Sequence, residues 1–113
     1  MLVVEKSEFS GTWLVSSDGR TGRLTLQGVG NPQEEGFTLS GQFMDADGQV
    51  YPADSIVINV HKISFVIRFT EYSQLFRGYL FTETRDAMAG YTIRGDERYG
   101  WFAILANSPL VAS

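Results

Sequence analysis

Apolar residues recur at every second position through most of the chain, and clusters of Gly, Asp, Asn and Pro interrupt them at intervals of roughly ten residues, the rhythm of an antiparallel sandwich or barrel. Helical periodicity is absent. Strands are predicted over residues 9–16, 23–29, 37–45, 49–53 running on into 55–60, 63–70, 75–83, 87–94 and 99–106, eight in all when the strand bent at Pro52 is counted once. Proline cannot donate to a ladder, so Pro52 marks an edge, a bulge or a corner. Between the strands sit Ser17-Asp18-Gly19, Gly30-Asn31-Pro32, Asp47-Gly48, His61-Lys62, Tyr72-Ser73, Arg85-Asp86 and Gly95-Asp96, all compatible with hairpin turns. Connections this short join sequential antiparallel neighbours and leave no residues for crossover helices.

Alternation sorts the side chains into two faces. A two-residue turn at His61-Lys62 sets Val60 opposite Ile63, Ile58 opposite Phe65 and Ile56 opposite Ile67, and the first hairpin sets Val15 with Leu24 and Trp13 with Leu26. The predicted interior then holds Phe9, Trp13, Val15, Leu24, Leu26, Phe37, Leu39, Phe43, Ile56, Ile58, Val60, Ile63, Phe65, Ile67, Phe69, Phe76, Leu80, Met88, Phe102 and Ile104. Gly11, Gly28, Gly41, Gly78, Gly90 and Gly100 are assigned to the same face, where a sheet tolerates glycine if it must coil sharply. That favours a closed barrel over the alternative of a two-sheet sandwich. The last three strands are apolar on their other face as well, through Leu75, Tyr79, Phe81, Tyr91, Ile93, Tyr99, Trp101 and Leu105. With Tyr79 beside Tyr91 and Ile93 beside Trp101, this face is predicted to form one aromatic patch. Its bland explanation is that Leu2-Val3-Val4 or the tail at Leu110 and Val111 covers it.

Length adds that 113 residues make one domain, with 1–7 and 107–113 as terminal extensions. Hydrophobic residues at 43% and charged residues at 19% suffice for a packed core. The net charge of -4 lacks the basic field that neutralises phosphates, so nucleic acid is not expected as a partner. With no cysteine, disulfides, thiolate catalysis and Cys-ligated metals are excluded. Met1-Leu2-Val3-Val4 runs at once into Glu5 and Lys6, too short for a signal peptide, and no apolar run reaches the length of a membrane helix. A cytoplasmic protein without membrane association is the expectation.

Chemistry-bearing residues are sparse. His61 is the only histidine and falls in a predicted turn, so neither a histidine metal site nor a Ser-His-Asp triad has its parts. Asp45-Ala46-Asp47-Gly48 resembles the middle of a calcium loop, but the first ligand position falls on Phe43 and the twelfth on Asp54, so an Asp-Gly hairpin turn explains it better. Glu34, Glu35, Asp45, Asp47, Asp54, Glu71, Glu83, Asp86, Asp96 and Glu97 lie almost wholly in predicted turns, and nothing in the sequence sets two of them across a cleft. Arg68 and Arg77 come opposite each other across the Tyr72-Ser73 turn as a conceivable anion pair. No enzyme, metal site or cofactor is predicted.

Gly11-Thr12-Trp13 on the first strand, followed by a meander of eight strands, resembles the calycin barrels, meaning lipocalins, fatty-acid-binding proteins and avidins. The resemblance implies an all-β, eight-stranded antiparallel up-and-down barrel of the streptavidin or lipocalin kind. It covers nearly the whole chain as architecture and those three residues as sequence. Avidins follow the motif with polar biotin-binding residues, whereas Leu14 and Val15 follow here, so biotin binding is not implied. The arginine that lipocalins lay across the first-strand Trp from the last strand is missing from residues 99–106. Two functions follow as expectations. One is a homo-oligomer or protein-binding barrel whose interface is Tyr79, Phe81, Tyr91, Ile93, Tyr99 and Trp101. The other is a carrier of a small apolar ligand against Trp13, Phe43 and Phe65 in the interior.

Overall fold

The alternating segments do close into a barrel. The computed structural model describes residues 6–31 and 33–108. A 3₁₀ turn, Lys6–Phe9, leads into β1 (Gly11–Ser17), β2 (Arg20–Val29), β3 (Thr38–Asp45), β4 (Val50–Asn59), β5 (Lys62–Arg68), β6 (Ser73–Leu80), β7 (Ala87–Arg94) and β8 (Glu97–Leu105). Each strand pairs antiparallel with the next and β8 pairs with β1, so the sheet has no free edge. This is the all-β, eight-stranded up-and-down barrel expected from the sequence, and it is consistent with a calycin-like fold. The expected coverage by Leu2-Val3-Val4 or by Leu110 and Val111 lies outside the described residues.

Turn chemistry sets the registers. Asp18 and Gly19 both take positive φ, 48° and 81°, the type I′ pattern whose twist matches a hairpin. Ser17 therefore pairs with Arg20, which puts Trp13 opposite Leu24 and not opposite Leu26. At the β4–β5 turn the two linking residues are Val60 and His61, so Ile58 faces Ile63 and Val60, expected inside, is 64% exposed. Both slips are by two residues and leave the faces unchanged. Within β4 the register breaks between Asp54 and Val57, where Ser55 has a φ of 52°. Below this bulge Ile56 and Ile58 pack against the core; above it the inward residues are Ala53 and Tyr51. The irregularity suggested by Pro52 thus sits three residues later.

The four connections β1–β2, β3–β4, β5–β6 and β7–β8 gather at one end of the barrel, and the 3₁₀ turn with the other connections gathers at the opposite end. That second end is plugged. Phe9 is fully buried, and Trp13, also fully buried, donates its indole N–H to the Phe9 carbonyl at 2.9 Å. Glu8 pairs with Arg85 of the β6–β7 connection, whose guanidinium also donates to the Thr82 carbonyl at 3.0 Å. Leu24, Leu26, Ile63, Phe65, Ile67, Leu80 and Met88 fill the space above.

One strand faces the other way from expectation. On β8 it is Trp101 and Ala103 that are buried, while Phe102 is 50% exposed and Ile104 is half-buried on the outside. The physical reason lies on two neighbouring strands. Gly78 of β6 pairs with Gly90 of β7, which pairs with Trp101, so the indole lies over a floor without side chains. A Cβ on Gly78 would stand 2.6 Å from Trp101 Cζ2. The indole N–H donates to the carbonyls of both Arg77 and Tyr91 at 3.0 Å. Gly100 is correspondingly on the outer face beside Tyr91, not inside. Phe43 over Gly22 and Phe37 over Gly28 repeat the device, each ring occupying the place of a missing Cβ.

Candidate ligand site at the open end

Above the plug the barrel holds a cavity of about 600 Å³ that opens between the four hairpin turns. Its volume lies in the range of small-molecule sites. The floor is aromatic. Phe65 and Phe76 stack with centroids 5.2 Å apart, and Trp101 meets both edge-on at 5.8 Å, which leaves Phe76 as the ring facing the cavity. One wall is aromatic too: Tyr51, turned inward by the β4 bulge, meets Phe69 edge-on at 4.9 Å, and Phe69 stacks on Tyr72 at 5.0 Å. Phe43 closes the corner, 6.1 Å from Phe69.

Polar groups sit at defined points on this lining. Gln74 of β6 is 9% exposed and donates through Nε2 to Thr92 Oγ1 at 2.8 Å. Thr92, fully buried, donates in turn to the Leu75 carbonyl at 2.8 Å. The amide oxygen of Gln74 has no partner among the described residues, and the side chain lines the cavity. Asp45 ends β3 on the inward face, with Oδ1 accepting the backbone N–H groups of Asp47 and Gln49, both at 2.9 Å. That is the Asx turn of an Asp-Gly hairpin, as the sequence suggested. The Tyr51 hydroxyl donates to Asp45 Oδ2 over a long 3.5 Å. Burial first, and then the Asp45 charge, holds the Tyr51 phenol above its ordinary pKa. Across the cavity the Tyr99 hydroxyl donates to Glu97 Oε2 at 2.7 Å, and that bond with the Glu97 charge raises the Tyr99 phenol likewise.

Of the residues expected to meet a ligand, Phe43 lines the cavity; Trp13 and Phe65 lie beneath it in the packed core. Of the six expected at an interface, Tyr79 and Phe81 are 48% and 52% exposed on the outer face, and Tyr91 and Ile93 are half-buried there. Tyr79 neighbours Ala89 and not Tyr91, whose ring carries the Arg98 guanidinium at 4.8 Å. Trp101 belongs to the core, and Tyr99 lines the cavity. Arg68 and Arg77 do not meet: Arg68 pairs with Ser73 across the turn and makes an ion pair with Asp54 at 2.9 Å. Tyr51, Phe69, Tyr72, Gln74 and Arg94 escaped the sequence reading as site residues. For Phe69, Gln74 and Arg94 the signal was inward parity carried to the ends of their strands; Tyr51 and Tyr72, set by the bulge and by a turn, gave none. Among the described residues no three His, Cys, Asp or Glu side chains are grouped to hold a metal ion.

The chain matches no protein-family profile, no curated protein and no solved structure. The functional reading therefore rests on fold and geometry.

Proposed function

We propose that this protein is a non-enzymatic binding barrel of calycin type whose ligand is a small molecule seated in the open end. The observation that carries the proposal is the cavity of about 600 Å³ above a packed plug, with a nine-tenths-buried glutamine on its wall. A barrel that needed only to present an outer surface gains stability from filling that volume, and here aromatic and polar side chains are arranged around it instead. The seat differs from the interior site expected around Trp13 and Phe65, because those two rings are consumed in the packed core beneath it. Chemical-shift mapping of the amide-labelled protein against a broad fragment library tests the reading. Hits are expected to shift amides of Asp45, Tyr51, Gln74 and Tyr99; a library that leaves all four unmoved refutes it.

Self-association is the second reading, favoured by Tyr79, Phe81 and Phe102, each about half exposed on the outer face, with Ala89 of β7 paired to both Tyr79 and Phe102. Light scattering on a sizing column reads it directly. A monomer at micromolar concentration, unchanged by Phe102→Glu, removes that reading and leaves the ligand seat standing.

A further inference from the structure

Resting on the open-end seat as the binding site, we propose that its ligand is an organic cation, a protonated amine on an aromatic or apolar body. Three polar side chains of the lining have already directed a donor at the protein: Tyr51 to Asp45, Tyr99 to Glu97 and Gln74 to Thr92. Gln74 keeps its amide oxygen as an acceptor, beside its second N–H, in a side chain that is only 9% exposed. With both tyrosine hydroxyls engaged by carboxylates, an ammonium entering here supplies the N–H that the Gln74 oxygen lacks.

The aromatic wall agrees with this charge. Tyr51, Phe69 and Tyr72 form a continuous run of rings, and a cation beside ring faces is attracted by their quadrupoles. Carboxylates border the same wall, with Asp45 in contact with Tyr51 and Glu71 next to Tyr72 in the chain. Four carboxylates line the cavity, Asp18, Asp45, Asp47 and Glu71, against two guanidiniums, Arg20 and Arg94. Arg20 lies on β2 and Arg94 on β7, beside the strand that carries Gln74, and the remaining surplus of negative charge draws a cation toward the opening. The apolar body of the ligand then rests on the floor at Phe76.

Three probes with one shared body separate the possibilities: 2-phenylethylamine, 2-phenylethanol and 3-phenylpropionate, titrated at neutral pH while amide shifts are followed. The ammonium is expected to bind at the open end about tenfold more tightly than the alcohol or the carboxylate, the ratio of a partly desolvated cation–π and ion contact. Its affinity should fall with added salt. Asp45→Asn keeps an oxygen for the turn and removes the charge, and Tyr72→Leu alters a ring that is 44% exposed; each is expected to weaken the ammonium severalfold without changing the fold. If the alcohol or the carboxylate binds the same amides as tightly as the ammonium, or if both variants leave its affinity unchanged, the cation proposal is overturned and the seat itself survives. If none of the three binds while other fragments occupy the open end, the cation proposal again fails alone. If nothing binds there, both fall.

Discussion

Gly78→Ala tests the packing that distinguishes this barrel from the one its sequence suggests. The added methyl would stand 2.6 Å from Trp101 Cζ2 and 2.9 Å from the Ala89 carbonyl oxygen. The indole has little room to retreat, since its N–H is held by two carbonyls at 3.0 Å and its edge meets Phe65 and Phe76. Overpacking a filled core costs about 1–3 kcal/mol, and with a rigid ring and a backbone carbonyl both in the way the upper half of that range is expected. Trp101→Leu alone should cost about 3 kcal/mol, as large aromatic truncations do. Together the two changes should not add. Leucine removes the nearer clash and the new methyl occupies some of the vacated volume, so the double variant should exceed the additive stability by about 1–2 kcal/mol. Gly22→Ala is the control, because its methyl would meet Phe43 at 2.2 Å and not Trp101. Combined with Trp101→Leu it should be additive within about 0.5 kcal/mol. Urea unfolding followed by far-ultraviolet circular dichroism measures all five variants without relying on the altered tryptophan. A neutral Gly78→Ala, or additivity with Trp101→Leu, would refute the assignment of Trp101 to the inner face.

Two further outcomes are expected. Hydrogen bonds from Ser108 and then from Thr84 hold the Asp86 carboxyl below its ordinary value of 3.8, so its charged form is favoured by folding. That stabilisation is complete above the ordinary value and is lost as pH falls through the lowered one, so Ser108→Ala should flatten the decline in urea midpoint between about pH 5 and about pH 2. An unchanged acid limb speaks against the Asp86–Ser108 bond. At the β4–β5 turn, Val60 holds a φ of 60°, a conformation that crowds a β-branched side chain, and 64% of it is exposed. Val60→Gly should raise stability by about 0.5–1 kcal/mol in the same assay, whereas a loss would mean that the valine is unstrained.

Much of the fold is legible because a closed meander is specified by alternation and short turns, and both are local. Strands β3 and β5 sort correctly, since the inward parity of each is apolar or glycine up to Asp45 and the other is mixed, whereas β7 sorts through Met88 and Gly90 although its outward Ala87, Ala89, Tyr91 and Ile93 are the more apolar set. β8 is ambiguous on that criterion: Trp101 and Ala103 compete with Phe102 and Ile104, and both sets suit a core. The deciding information is non-local yet present. A two-residue turn at Gly95-Asp96 pairs Arg94 with Glu97 and hence Gly90 with Trp101, so an inward Gly90 requires an inward Trp101. The aromatic patch expected on the outer face borrowed its tryptophan from the interior for want of that step. The site was harder to see for a different reason. Gln74 lies one residue before the predicted start of its strand, and Tyr51 owes its orientation to an inserted residue that no periodicity reveals.

That inserted residue links the fold to the seat. Counting inward parity up β4 from Ile58 and Ile56 without interruption would carry Asp54, Pro52 and Val50 into the barrel and leave Tyr51 and Ala53 outside. The bulge at Ser55 exchanges those sets, so that Ala53 fills the core opposite Ile67 and Tyr51 enters the cavity against Phe69. It also places Asp54 on the surface, where Arg68 pairs with it at 2.9 Å. A charge that would otherwise be buried without compensation becomes a solvated ion pair, and its removal from the interior is one reason the bulge is tolerated despite the positive φ at Ser55. The aromatic wall of the cavity is thus assembled by a local irregularity in a strand whose lower half packs against the core. The packed core lies below the bulge, and the cavity with its aromatic wall lies above it.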